Sequence, residues 1–397
     1  MAADSTWTQG AAAALPADAG AILAGRVWDP AVEGPSVVAV RDGMVVDVSA
    51  RFATMRDLVE TPEPGAALAS ADGPVLGTVD ELLANTPEDA RDGTRPWLLS
   101  PIDLQVVKAA GVTFPVSMLE RVIEERARGE ADAAGPIRER ILGHLGGELG
   151  TLVPGSPAAM RLKELLIAEG MWSQYLEVGI GPDAEIFTKA PVLATVGTGA
   201  LVGVREDSEW NNPEPEVVLV VASRGEIVGA TLGNDVNLRD IEGRSALLLG
   251  EAKDNNASAS VGPFIRLFGA GFGLDELRQE TVTLRVEGAD GFVLEGTSPL
   301  AQISRDPAEL VAQAMRHHRY PDGFVLYLGT MFAPGEDRDV PGRGFTHHVG
   351  DVVRIASPRL GTLVNRVAHC NDAPPWTFGT GALVANLARR GLLNGEN

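Results

Sequence analysis

Cysteine is almost absent: Cys370 is the only one in 397 residues, so neither an intramolecular disulfide framework nor a cysteine-ligated zinc site can form. Positive charge is scarce as well. Lys and Arg number 33 against 54 Asp and Glu, a formal net charge of −21, and affinity for phosphate backbones comes from the side chains this chain has least of. A nucleic-acid partner is therefore not expected. Long apolar runs are also missing, since nothing approaches the ~18 residues that span a bilayer and Leu247-Leu248-Leu249 is a brief patch. The first fifteen residues are rich in alanine but have no basic stretch ahead of an apolar one, so they do not read as a secretory signal. The expectation is a cytoplasmic protein without membrane or nucleic-acid partners.

What is present is apolar material, 45% of the chain, enough for a sizeable core and, at ~100–200 residues per domain, for two or three domains. Short β-rich pieces at 37–40 and 44–48 flank the turn Asp42-Gly43 and predict a small N-terminal β-meander. From 61 to 95 the composition shifts to Ala, Gly, Pro, Asp and Glu, which predicts irregular structure and a boundary. The division expected is an N-terminal domain with linker over 1–96 and a larger unit over 97–397. Ser117 followed by Glu120 has the form of a capping box and predicts a helix over 117–128. Ser156-Pro157 and Asp306-Pro307 predict further helices, to about 170 and 318. Beyond 210 the pattern turns β-branched, with strands expected at 217–221, 227–232, 282–286, 292–294, 324–328, 352–355 and 363–367. Helices early and strands late predict an α+β fold.

The stretch Asn211-Asn212-Pro213-Glu214-Pro215-Glu216, followed by Val217-Val218-Leu219-Val220-Val221, carries the most chemistry. The prolines force an extended backbone, which projects Glu214 and Glu216 to one side at the mouth of a buried strand. Paired carboxylates there repel and are costly to bury. A hard divalent cation such as Mg²⁺ resolves the conflict, because it takes oxygen ligands and leaves part of its shell to water and substrate. Asp235, at the end of a second strand that returns antiparallel, is the expected third ligand. On the spacing alone, acids solvated at strand ends are the simpler alternative.

The order of elements adds to this. Glu214-x-Glu216, Asn234-Asp235 through Arg239-Asp240, Lys253, Gly262-Pro263, Gly329-Thr330, Gly350-Asp351 and Gly361-Thr362-Leu363 together resemble the fumarylacetoacetate hydrolase superfamily, over roughly residues 98–367. The resemblance implies a mixed β-roll with peripheral helices, behind the small N-terminal β-rich domain. It also implies Mg²⁺, with Mn²⁺ as a substitute, on Glu214, Glu216 and Asp235, and a homodimer or homotetramer. Carbon–carbon hydrolases of the superfamily carry an early histidine that activates water. Here the corresponding region reads Gly111-Val112-Thr113-Phe114-Pro115-Val116-Ser117, without one.

Glu185 and Lys253, by placement, are similar to the catalytic glutamate and lysine of the superfamily's 2-keto-3-deoxy-pentonate dehydratases. That resemblance implies a lyase converting a small 2-keto-3-deoxy sugar acid, the D-xylonate-derived one in particular, to 2,5-dioxopentanoate. Lys253 is then the base and Glu185, its carboxyl partly buried, the acid. Arg239, Glu242, Ser258 and Thr330 are carried over as substrate contacts, although Arg239-Asp240 can equally be a local salt bridge. An acylpyruvate-type hydrolase and a non-catalytic sugar-acid binder are the rival readings. The pairs His317-His318 and His347-His348 read as surface histidines, because neighbours on a strand or helix point apart. Gly269 to Gly273 reads as a turn and Cys370 as a packing residue.

Overall fold

The computed structural model describes residues 7, 9–127, 152–168, 170, 172–332, 334, 336–341 and 343–393. In chain order the strands are β1 (Leu23–Asp29), β2 (Gly34–Arg41), β3 (Met44–Asp47), β4 (Val75–Thr78), β5 (Trp97–Leu98), β6 (Val106–Gly111), β7 (Glu185–Ala190), β8 (Leu201–Val204) and β9 (Asn211–Asn212). They continue with β10 (Pro215–Val221), β11 (Ile227–Asp235), β12 (Asn237–Leu238), β13 (Ala259–Leu267), β14 (Thr281–Glu287), β15 (Val293–Pro299), β16 (Phe324–Tyr327), β17 (Val352–Ser357) and β18 (Gly361–His369).

Eleven of these form one sheet in the order β4-β3-β2-β1-β13-β11-β10-β16-β6-β7, with β5 paired to β1. A five-stranded sheet, β15-β14-β17-β18-β8, packs against it. All pairings are antiparallel except β16 with β6 and β18 with β8. Mixed sheets with helices at their margins are the expected β-roll, in the α+β class.

β10 lies near the middle of the large sheet, and its sequence shows why. Val217, Leu219 and Val221 enter the core shared with the five-stranded sheet, while Val218 and Val220 enter a second core on the opposite face. A strand buried on both sides must be apolar throughout rather than alternating. The second core also takes Ala24, Val37, Phe52, Met55 and Leu58 from the N-terminal hundred residues. The N-terminal meander therefore extends the same sheet that carries β10, joined through Leu23 opposite Arg266 and Ala24 opposite Ile265. A third cluster unites the helices Pro115–Ala127, Pro157–Ala168 and Gln174–Ile180.

Several expectations need correction. Residues 61–95 are not irregular: they hold the helices Pro64–Ala69 and Val79–Ala84 and strand β4. The composition concealed a reciprocal cap, in which Thr78 Oγ1 accepts from Glu81 N and Glu81 Oε2 accepts from Thr78 N. Ser117 is not a cap. The helix opens two residues earlier at Pro115, and the Ser117 hydroxyl donates back to the Phe114 carbonyl at 2.9 Å; a proline at the first turn suits the missing N–H. The helix extends through Ala127, and its expected end at 128 lies outside the described residues.

Two other starts agree with the sequence: Ser156 Oγ accepts from Ala159 N and Asp306 Oδ1 from Ala308 N. The second helix ends at Met315 rather than 318. Strands occur at both ends of the chain, so helices and strands are less segregated than expected. His347 is not a surface residue, since its side chain is fully buried against Asp351.

Candidate active site

Site construction begins at the β10–β11 pair, where Glu216 lies opposite Gly233 and Pro215 opposite Asn234. The antiparallel return brings Asp235, the last residue of β11, beside Glu214, and Asp235 N donates to Glu214 O at 3.0 Å. Gly233 is obligatory here: a Cβ would sit 2.3 Å from a Tyr327 ring carbon and 2.5 Å from Val218 Cγ2. One carboxylate oxygen from each of Glu214, Glu216 and Asp235 lies within 4.8 Å of the others, and all three residues are buried.

The charges around this triad are arranged asymmetrically. Lys253, at the end of the helix Leu249–Lys253, places Nζ 2.5 Å from Glu214 Oε2 and 3.3 Å from Asp235 Oδ2. Lys189, on β7 and wholly inaccessible, puts Nζ 2.8 Å from Asp235 Oδ1 and donates to the Val236 and Lys253 carbonyls. Arg121 grips Glu214 Oε1 at 2.5 Å and Glu242 Oε2 at 2.9 Å. Glu216 accepts from Gly329 N at 2.6 Å.

Protonation follows from these contacts. Burial, reinforced by the charges of Asp235 and Glu214, pushes the Glu216 carboxyl well above the usual range. Burial also raises Asp235, but Lys189 and Lys253 outweigh it and the net direction is down. Burial pulls Lys253 down, and Asp235, Glu214 and Glu242 reverse this and hold it above its ordinary value. Oxygen donors alone, buried and mutually repelling, fit a hard divalent cation, which would stabilise the ionised form that Glu216 resists.

Glu185 opens β7 opposite Gly111 of β6. Its carboxylate lies over that glycine so closely that a Cβ there would meet Oε2 at 2.3 Å. Burial raises its pKa, with Arg121 and Lys253 pulling it down and Glu214 and Asp235 adding to the rise. Arg239 is buried, stacks over Trp210 at 4.4 Å, and reaches Glu120 at 3.5 Å. Its neighbour Asp240 turns elsewhere, to Ser208 Oγ and Glu209 N, so the two do not form the local salt bridge considered from the sequence.

Arg239 and Thr330 line a cavity of about 20 Å³ with Glu120, Arg121, Glu214 and Asn237. Thr330 Oγ1 also accepts from Phe332 N. Ser258 is not among the residues lining that cavity; its hydroxyl bonds the carbonyls of Lys253 and Asn255 and so braces the backbone at Lys253. A larger cavity of about 390 Å³, between Trp7, Trp97 and Leu201, includes none of the triad.

Arg121, Glu120, Asn237 and Lys189 were missed in the sequence. For Lys189 a signal existed, because Glu185, Phe187 and Lys189 alternate along one strand and share a face. For Arg121, whose partner Glu214 is 93 residues away, no local signal exists.

A probable 2-keto-3-deoxyxylonate dehydratase of Haloferax volcanii is 28% identical over 335 residues, covering 83% of this chain and 94% of that protein. The 2-dehydro-3-deoxy-D-arabinonate dehydratase of Saccharolobus solfataricus is 32% identical over 186 residues, 46% of this chain and 58% of the relative. A solved 2-keto-3-deoxy-D-arabinonate dehydratase, complexed with magnesium and 2,5-dioxopentanoate, shares the fold with a TM-score of 0.60 at 22% identity, covering 87% of this chain and 99% of that one. Residues 181–368 match the fumarylacetoacetate hydrolase C-terminal family. They include β7 to β17, all but the last residue of β18, the acidic triad, both buried lysines and Glu185. The acidic triad lies within the stretch that is similar to that family.

Proposed function

We propose that this protein is a hydro-lyase that dehydrates a 2-keto-3-deoxy-pentonate, the D-xylonate-derived compound in particular, to 2,5-dioxopentanoate. The observation that carries this is the convergence of Glu214, Glu216 and Asp235 with Lys253 in contact with two of them. The names of the relatives supply the substrate class, and the xylonate preference follows the relative that this chain covers almost end to end. Mg²⁺, or Mn²⁺ in its place, held by the triad would polarise the carbonyl of a 2-oxo acid and draw charge from the carboxylates.

With Asp235 and Glu214 so engaged, Glu242 would still hold Lys253 up against burial and Arg121, which both favour the neutral amine able to take the C3 proton. Glu185, whose carboxyl burial raises, is the donor to the departing C4 hydroxyl, which leaves as water. Proton transfer from C5 and back to carbon then yields the aldehyde. Arg239 and Thr330, at the cavity wall, orient the acid end and its hydroxyls, and Glu242 braces Arg121.

Among the described residues no helix is long and apolar enough to cross a membrane. We place the enzyme in the cytoplasm, as a homodimer or homotetramer that light scattering would identify. The decisive assay supplies 2-keto-3-deoxy-D-xylonate with Mg²⁺ and follows 2,5-dioxopentanoate as its semicarbazone. Turnover is expected in the native protein and absent in Lys253→Met, which keeps its ability to bind Mn²⁺. Inactivity on every 2-keto-3-deoxy-pentonate overturns the proposal.

A further inference from the structure

Asn237 lies opposite Asn212 where β12 pairs with β9, and both border the cavity of about 20 Å³ beside Glu214, Arg239 and Thr330. Their partners orient the two amides. Asn212 Nδ2 donates to the Pro213 carbonyl at 2.9 Å, which leaves Asn212 Oδ1 to accept from Asn237 Nδ2 at 3.4 Å. Three of the four polar atoms of the pair are thereby used. The fourth, Asn237 Oδ1, is buried and accepts from no donor among the described residues, and a buried acceptor left unpaired is costly.

The surroundings define the group that completes it. Glu120 and Glu214, the carboxylates on the same wall, already face Arg239, Arg121 and Lys253, whereas an amide oxygen is neutral and can only accept. It calls for a hydroxyl rather than a carboxylate or a carbonyl, which has no proton to give. A cavity of this volume has room for about one water-sized group, and a hydroxyl is such a group. A 2-keto-3-deoxy-pentonate carries two of them. The one at C4 must meet a proton donor in order to leave, so an acceptor suits the one that stays, at C5. We propose that Asn237 is a specificity-determining residue: its Oδ1 accepts from the C5 hydroxyl of the sugar acid and so selects acids hydroxylated at that carbon. This inference rests on the dehydratase reading above and extends it to a residue that the mechanism does not use.

Steady-state kinetics with three 2-oxo acids and Mg²⁺ test this. 2-Keto-3-deoxy-D-xylonate is the substrate; 4-hydroxy-2-oxopentanoate, which lacks only the C5 hydroxyl, and pyruvate, which lacks both hydroxyls, compete with it. In the native protein the Ki of 4-hydroxy-2-oxopentanoate should exceed the KM of the sugar acid at least about tenfold, because a site that holds an acceptor ready for a hydroxyl rejects the analogue without one. Comparable values overturn the proposal, whatever any variant does. Asn237→Leu should lower kcat/KM for the sugar acid at least about tenfold and leave the Ki of each competitor within about twofold of native. An unchanged kcat/KM overturns the proposal. So does a loss shared by pyruvate, which would make Asn237 a support of the site, or one shared by 4-hydroxy-2-oxopentanoate alone, which would put the hydrogen bond at C4. A native protein that dehydrates no 2-keto-3-deoxy-pentonate would instead overturn the dehydratase reading, and this inference with it.

Discussion

On the proposed mechanism the chemistry rests on single side chains, and each can be tested individually. Among the described residues no Lys or Arg pairs with Glu216, and burial with its acidic neighbours raises its carboxyl well above the usual range. Glu216→Gln keeps shape and burial but deletes one ligand, so Mn²⁺ affinity measured by calorimetry should fall at least about a hundredfold, the loss of one ionised donor from a small oxygen site. Affinity within about twofold of native would rule out the ligand assignment. Gly111 makes a different prediction. A methyl group there collides with the end of the Glu185 side chain rather than with backbone, so Gly111→Ala should move the carboxylate at little cost in stability. Its kcat should fall by about tenfold or more through a misplaced acid, while Tm shifts by less than about 3 °C. A large fall in Tm with kcat preserved would show that the glycine serves packing only.

At the scale of the elements, the segment between β16 and β17 is pinned by a buried charge network. Arg338 gives Asp351 two contacts at 2.5 and 2.8 Å, and His347 Nδ1 lies 3.4 Å from the same carboxylate, with His348 N at 2.9 Å. Burial alone would raise Asp351, but Arg338 and His347 hold it down at about 2. A carboxyl lowered by folding stabilises the protein above its unfolded pKa, and that contribution disappears as the pH drops from about 4 to about 2. His347 titrates in a more accessible range. Burial pushes it below 6.5, so the fold prefers the neutral ring, and stability complete above pH 6.5 is lost progressively as the medium acidifies beneath that value. Thermal melts between pH 7.5 and 5 should show a falling Tm that flattens in His347→Gln. An equal slope in both proteins would exclude the histidine.

The elements also show how far the sequence can be read. Glu214, Glu216 and Asp235 were legible because two prolines and an apolar run fix one strand, and an antiparallel return fixes the partner of its first residues. The caps at Ser156 and Asp306 were legible for a similarly local reason. Thr78 and Glu81 follow the same rule yet lay in a stretch whose composition spoke for irregular structure, and composition is a weaker signal than a reciprocal hydrogen bond. His347 was misread because adjacency of two histidines says which way they diverge, not which of them meets the core. Arg121 depends on a helix docking across a distance in sequence that no pattern encodes.

At the scale of the whole molecule, the boundary expected near residue 96 divides the sequence but not the sheet. A chain starting at 97 would uncover β13 along Ile265 and Arg266, leave β5 without β1, and strip Phe52, Met55 and Leu58 from beneath Val218 and Val220. An exposed apolar sheet edge invites association, so residues 97–397 alone should aggregate on gel filtration and lack near-ultraviolet dichroism. A monodisperse, folded fragment would establish the larger unit as autonomous.

Sheet order also bears on synthesis. β10 acquires its second neighbour only when β16 arrives, more than a hundred residues later, and Gly329, just past that strand, supplies the N–H that Glu216 accepts. On the ribosome, therefore, the acidic strand emerges long before anything can cover its second edge. Chaperone protection during that interval, rather than the stability of the finished protein, should set the yield of active enzyme.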